Sequence, residues 1–95
     1  MSKPESKFRH ITINKKKYYF YEIRWVDVSG ESGHADFKEF AAMKPAYMVT
    51  NAYIFKRDKK FVWTFSSYDE RDEVFSDRNI FPVGVIKSLK RVGNT

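Results

Sequence analysis

Residues 18–28 read Tyr-Tyr-Phe-Tyr-Glu-Ile-Arg-Trp-Val-Asp-Val, and no other stretch limits the fold of this chain as strongly. Aromatic and β-branched side chains at this density suit a pleated, half-buried strand better than a helix. Because neighbours in a strand alternate between faces, Tyr19, Tyr21, Ile23 and Trp25 form one apolar row and a candidate core. Glu22 and Arg24 fall on the opposite face beside Tyr18, Phe20, Val26 and Val28. That second face is half apolar, so the sequence predicts partial cover over it.

The rest of the chain is organised around that strand. Residues 1–7 mix Ser, Pro, Lys and Glu without periodicity and read as a flexible tail. Arg9, Ile11 and Ile13 alternate with His10, Thr12 and Asn14 in a short strand that ends at a basic turn, Asn14-Lys15-Lys16-Lys17. After a flexible segment, Val28-Ser29-Gly30-Glu31-Ser32-Gly33, the spacing Asp36-Phe37-Lys38-Glu39 predicts a capped helix of about two turns. Phe37, Phe40 and Ala41 share one face of it, and Pro45 ends it. Residues 47–56 resume β character and join Phe61-Val62-Trp63-Thr64-Phe65 through a polar hairpin turn, Arg57-Asp58-Lys59-Lys60. Residues 66–79 read as a long acidic loop carrying Val74 and Phe75. A short strand at Ile80-Phe81, a Pro82-Val83-Gly84 turn and a last strand over 85–92 complete the chain, with 93–95 as a C-terminal tail.

These elements predict a mainly β protein with one short α-helix: a single antiparallel domain of five to six strands over residues 8–92. Closure into a small barrel would remove the exposed edges that a sheet of this size presents, and an open sheet with a helix on one face is the alternative. Ninety-five residues suffice for one core and for no deep interdomain cleft. The nine Phe, six Tyr and two Trp supply the buried area that so small a core needs.

Composition narrows the function classes. With no Cys, neither a disulfide scaffold nor a thiolate zinc site can form, which favours the cytoplasm. The first twenty residues lack a signal-peptide apolar run, and no apolar stretch is long enough to span a bilayer, so no membrane partner is expected. No cofactor is expected either. Only His10 and His34 titrate near neutrality, on different elements and without a carboxylate at motif spacing, which argues against catalysis. Ser29, Ser32, His34 and Asp36 lack the scaffold of a nucleophilic triad and read as turn and cap residues. Asp27, Ser29 and Glu31 alternate like calcium ligands, but Lys38 stands where the twelfth-position Glu should be. Gly30-Glu31-Ser32-Gly33 has the outline of an RNA-clamping loop without its preceding helix.

Short motifs add a resemblance. Trp25-Val26-Asp27 at a strand end, the short helix, Val49-Thr50-Asn51-Ala52-Tyr53 and Pro82-Val83-Gly84-Val85-Ile86 together resemble small tailed-phage accessory proteins. The likeness spans the core from about Tyr18 to Val92 and departs at Ala52, where those proteins often carry Gly. It implies an SH3-like barrel with residues 82–85 as the turn before the last strand. It also implies an accessory factor in the bacterial host cytoplasm that binds a host protein or a nucleic acid, with no active site to carry over.

Two surfaces compete for that binding role. The net charge of +6 is unevenly spread: Asp69 to Arg78 holds five acids and two bases. The first reading is a non-enzymatic module contacting a host protein, or a second copy of itself, through Asp69, Glu70, Asp72, Glu73, Val74 and Phe75, two apolar anchors in a charged rim. The alternative is a nucleic-acid-binding barrel using its basic hairpin tips, with Arg9, Lys15, Lys16, Lys17, Tyr18, Phe20, Lys56, Arg57, Lys59 and Lys60 contacting phosphates and bases. Lys87, Lys90 and Arg91 add a third basic group near the C-terminus. Phe61, Trp63 and Phe65 are read as core residues, although Lys60 to Phe65 has the outline of a base-stacking strand.

Overall fold

The structure is a computed structural model that describes residues 7–93; of the expected tails 1–7 and 93–95, residues 1–6 and 94–95 lie outside the described residues. The strands are β1 (His10–Ile13), β2 (Lys16–Asp27), β3 (Ala46–Arg57), β4 (Phe61–Phe65), β5 (Ser67–Asp69), β6 (Val74–Ser76), β7 (Asn79–Pro82) and β8 (Ile86–Arg91). One helix, α1 (Phe37–Ala41), interrupts them. The protein is mainly β, and its ladders are antiparallel. No helix among the described residues is long and apolar enough to cross a membrane.

Two 12-residue strands form the spine, β2 and β3, paired from Phe20↔Tyr53 to Asp27↔Ala46. The other edge of β2 is used twice. Its start pairs with β1 across a two-residue turn whose residues, Asn14 and Lys15, have φ of 50° and 68°. Such left-handed pairs match the twist of a tight hairpin, and Asn tolerates them well. Lys16 and Lys17, expected in the turn, are therefore the first residues of β2. Further along, β2 pairs with β8 from Tyr21 to Trp25. Phe20 marks the changeover: its N–H donates to the Arg9 carbonyl at 2.9 Å, and its carbonyl accepts from the Val92 N–H at 3.0 Å. A bridge between Phe8 and Gly93 ties the two ends together.

On the far side, β4 pairs with β3 and β7 with β4, giving a six-stranded sheet in the order β8/β1, β2, β3, β4, β7. The expected closure is not seen: no ladder joins β7 to β8 among the described residues. Pro82 ends β7 and has no N–H to offer a further partner. The next amide, Val83, donates to the Lys60 carbonyl at 2.8 Å, so the chain stays tied to the start of β4 through the 3₁₀ turn Val83–Val85.

The alternation in β2 places cores on both faces. On one, Tyr21, Ile23 and Phe81 are buried and packed by Tyr19, Trp25, Ile54, Ile86 and Leu89, which is the row read from the sequence. Trp25 donates its indole N–H to the Thr50 hydroxyl at 2.9 Å, and Arg91 donates to the Tyr21 hydroxyl at 2.9 Å. On the other face, Ile13, Tyr18 and Phe65 are buried with Ile11, Tyr53, Tyr68 and Phe75 around them.

The cover over this second face corrects the reading of residues 66–79 as a loop. They contain a two-stranded hairpin, β5–β6, with Tyr68 opposite Phe75. The Phe75 ring meets Phe65 at 4.7 Å and Phe55 at 5.2 Å, so burying one ring over the cluster seats the hairpin. Farther along the face the surface becomes polar, with Arg24 bonded to Glu22 at 3.1 Å, and the apolar reason for cover ends.

Beyond Trp25 the packing stops. Every residue from Asp27 to Val49 is exposed, although the β2–β3 ladder continues to Asp27↔Ala46 and α1 forms past it. This arm carries the helix away from both cores.

Candidate functional site

The arm is built from a short capped helix on a two-stranded ribbon. The Asp36 carboxylate accepts the Glu39 N–H at 2.8 Å, satisfying one of the free amides at the helix start as the spacing predicts. The helix stops at Ala41 with Ala42 as its C-cap, ahead of Pro45. Phe37 and Phe40 lie three residues apart on one helical face. They are 90% and 70% exposed, and α1 has no buried residue. Tyr47 and Val28 at the base of the arm are likewise open to solvent, at 73% and 87%. A five-residue helix is far below the length that is stable by itself in water, and large apolar side chains left open in a cluster mark an interaction surface.

A second apolar surface lies at the opposite end of the sheet. Phe55, Trp63, Phe65, Val74, Phe75 and Ile80 line a groove of about 620 Å³. Its formation follows from the register of β4, which corrects the assignment of all three β4 aromatics to the core. Val62 and Thr64 are the residues that face the Phe81 side and are buried, while Phe61 and Trp63 point to the other face. Of the three rings, Phe65 is buried, Phe61 is exposed and Trp63 is half-buried. The β3 ladder shifts register between Ile54 and Lys56, and Phe55 sits at this irregularity, on the groove wall. Lys56 Nζ lies 4.3 Å above the Trp63 ring. Arg78 and Glu73 also line the groove, so it carries charge of both signs.

The two surfaces expected from the sequence are only partly assembled as drawn. Asp69 accepts the N–H groups of Arg71 and Asp72 at 2.9 and 3.1 Å and thus shapes the β5–β6 turn. Glu70, Asp72 and Glu73 are exposed around that turn. Phe75 is spent on packing, whereas Val74, 53% exposed, remains available in the groove. Burial, followed by the charges of Glu73, Glu70 and Asp69, pushes the Tyr68 hydroxyl above the usual tyrosine range.

Among the basic candidates, Lys15 sits on the β1–β2 turn, and Arg57, Lys59 and Lys60 on or beside the β3–β4 turn. Because β2 and β3 are antiparallel neighbours, both turns leave the same end of the sheet. Lys17 is exposed at the start of β2, and Lys16 lies 5.3 Å above the Tyr18 ring. Tyr18 itself is not a free stacking platform: it is 8% exposed and stacked against Phe55. Phe20 is half-buried, with Tyr53 at 4.8 Å and the Arg9 guanidinium at 4.1 Å. Arg91 is engaged as well, at 4.0 Å from the Tyr19 ring.

The Asp58 carboxylate accepts the amides of Lys60 and Phe61, both at 2.8 Å, and so fixes the β3–β4 turn. Those two bonds, with Lys56 nearby, hold it below the ordinary aspartate range.

His10 Nδ1 lies 2.9 Å from the Phe8 carbonyl, while His34 is exposed on the arm. Ser29, Glu31, Ser32 and Asp36 are exposed with it, and no three His, Asp or Glu side chains among the described residues converge on a common ion position.

Comparison of the chain with protein-family models, with curated proteins and with solved structures found no match. The geometry of the two apolar surfaces is therefore the ground for a functional reading.

Sequence reasoning missed the arm as a site and reached the groove only through Glu73, Val74 and Phe75. The signal for the arm was present: an amphipathic helix of two turns set between a Gly/Ser segment and a proline, with no neighbouring element assigned to cover Phe37 and Phe40.

Proposed function

We propose that this protein is a non-enzymatic binding module that docks on another protein through α1 and the ribbon beneath it. The observation that carries this reading is the helix that buries none of its own residues while holding Phe37 and Phe40 in solvent. Burying two such rings in a partner removes roughly 150 to 250 Å² each from water, enough to make them anchors. The strand order β8, β2, β3, β4, β7 and the 3₁₀ turn before β8 support reading the core as an opened SH3-like barrel. The likeness of its motifs to tailed-phage accessory proteins favours action on a protein of a bacterial host, or on the protein itself, in the host cytoplasm.

A photo-crosslinking side chain placed at position 40 should capture protein in bacterial cells, and the same group at the exposed Thr12 should not. Equal labelling from both positions, or none from position 40, would sink the docking role.

A second reading rests on the convergence of the two basic turns at one end of the sheet. There Lys15, Lys16, Lys17, Arg57, Lys59 and Lys60 form a phosphate-binding end, with Phe61 and Trp63 exposed enough on β4 to meet a base. Lys16→Glu with Lys59→Glu should then weaken binding to single-stranded nucleic acid and reduce the slope of log affinity against log salt by about 1 to 1.5. Absence of binding at low salt removes this reading.

A further inference from the structure

We infer that the arm of one molecule occupies the aromatic groove of a second copy, so that the protein self-assembles by arm-into-groove contacts. This rests on the reading of α1 as a docking element and names its occupant. The chemistry of the two surfaces matches. The arm offers Phe37 and Phe40, and the groove offers Phe55, Trp63 and Val74 around an open space of about 620 Å³. Aromatic pairs gain from edge-to-face contact beyond the area they bury. The charges match too: Asp36 and Glu39 flank the arm's rings, and Lys56 and Arg78 stand at the groove. Glu73, the acid at the groove, finds its counterpart in Lys38 of α1. Opposite charges around an apolar centre fix orientation more than they add affinity.

Geometry makes the contact intermolecular. The arm joins β3 at Ala46, and Phe55 on the groove wall lies nine positions further along the same strand, about 30 Å away at 3.3 Å per residue. The connection from α1 back to β3, residues 42–45, spans at most about 14 Å when fully extended. α1 thus falls short of its own groove and is free to enter another. Two copies that exchange arms close as a dimer, while one-way insertion builds a ring or an open chain.

The test is sedimentation velocity over a hundredfold concentration range on nuclease-treated protein, with circular dichroism to verify folding of each variant. The wild type should assemble. Phe37→Asp with Phe40→Asp should be monomeric, and so should Val74→Asp with Ile80→Asp, which alters two half-exposed groove residues. Mixing these two monomeric variants should restore a single contact and give a 1:1 heterodimer. Glu39→Lys should weaken assembly about tenfold, and Lys56→Glu in the same chain should recover most of that loss.

A wild type that stays monomeric, an assembly lost on nuclease treatment, or one indifferent to the groove substitutions would each overturn the inference. If the protein is monomeric yet position 40 still crosslinks to another protein, self-assembly fails while the docking reading stands. If position 40 captures nothing, both fail.

Discussion

β2 and β3 pair without a break from Phe20↔Tyr53 to Asp27↔Ala46, yet the two halves of the pair occupy different surroundings. From Tyr18 to Trp25, and on β3 from Thr50 to Ile54, the Tyr21–Ile23 face is packed throughout and the Tyr18 face is packed at its start, and Ile23 and Ala52 are 0% exposed. Past Trp25 the same two strands continue as a bare ribbon that ends in an uncovered helix. Hydrogen bonding is continuous through both halves, so the ladder alone does not distinguish them. Side-chain burial does: one half is held by cores of this chain, and the other presents its apolar groups to something else.

This contrast can be tested through stability. Phe65→Ala, at a ring that is 1% exposed and in contact with Tyr18, Tyr53 and Phe75, should cost about 3 to 5 kcal/mol and leave much of the population unfolded in a chemical denaturation experiment. A loss below 1 kcal/mol would mean that the second core is not cooperative with the first. Phe75→Ala should cost less, about 2 kcal/mol, since its hairpin lies on one side of the cluster only and the ring is half-buried. If instead Phe75→Ala is neutral, β5–β6 is not seated by its ring and the groove loses a wall.

At concentrations where the wild type is monomeric, Phe37→Asp with Phe40→Asp should change stability by less than about 0.5 kcal/mol, because neither ring is packed in the isolated chain. A large loss would place the arm among the elements that hold the fold and erase the contrast.

The smallest effect is at the β3–β4 turn. With its native pKa lowered, Asp58 contributes stability that is complete above the ordinary aspartate pKa and is lost as pH falls through the lowered native value. NMR titration should find Asp58 among the last carboxylates to protonate, and Asp58→Asn should remove this part of the acid dependence. Ordinary titration would mean that the turn is open in solution.

Several features were legible before any coordinates. Alternation in residues 18–28 identified the row Tyr19, Tyr21, Ile23 and Trp25, because that face is apolar throughout while the other is interrupted by Glu22 and Arg24. Asp36 and its spacing to Glu39 marked the helix start, and Arg57 to Lys60 marked a hairpin, since caps and turns are local chemistry. The β5–β6 hairpin was not legible. Tyr68 and Phe75 are seven residues apart among acids, and only their pairing over Phe65 makes them part of a sheet. Nor was the register of β4: Phe61, Trp63 and Phe65 outrank Val62 and Thr64 in size, but the face they take is set by the pairing with β3, where Arg57 lies opposite Val62, Lys56 opposite Trp63 and Tyr53 opposite Phe65.

What the sequence determined alone is whatever depends on neighbours a few residues apart: the strand periods, the cap at Asp36, the turns, and the lack of thiol chemistry. Tertiary structure decided which residues of each strand are buried, that no ladder joins β7 to β8 among the described residues, and that Phe37 and Phe40 find no cover. Those outcomes depend on contacts between residues far apart in the chain, whose energies no local pattern encodes.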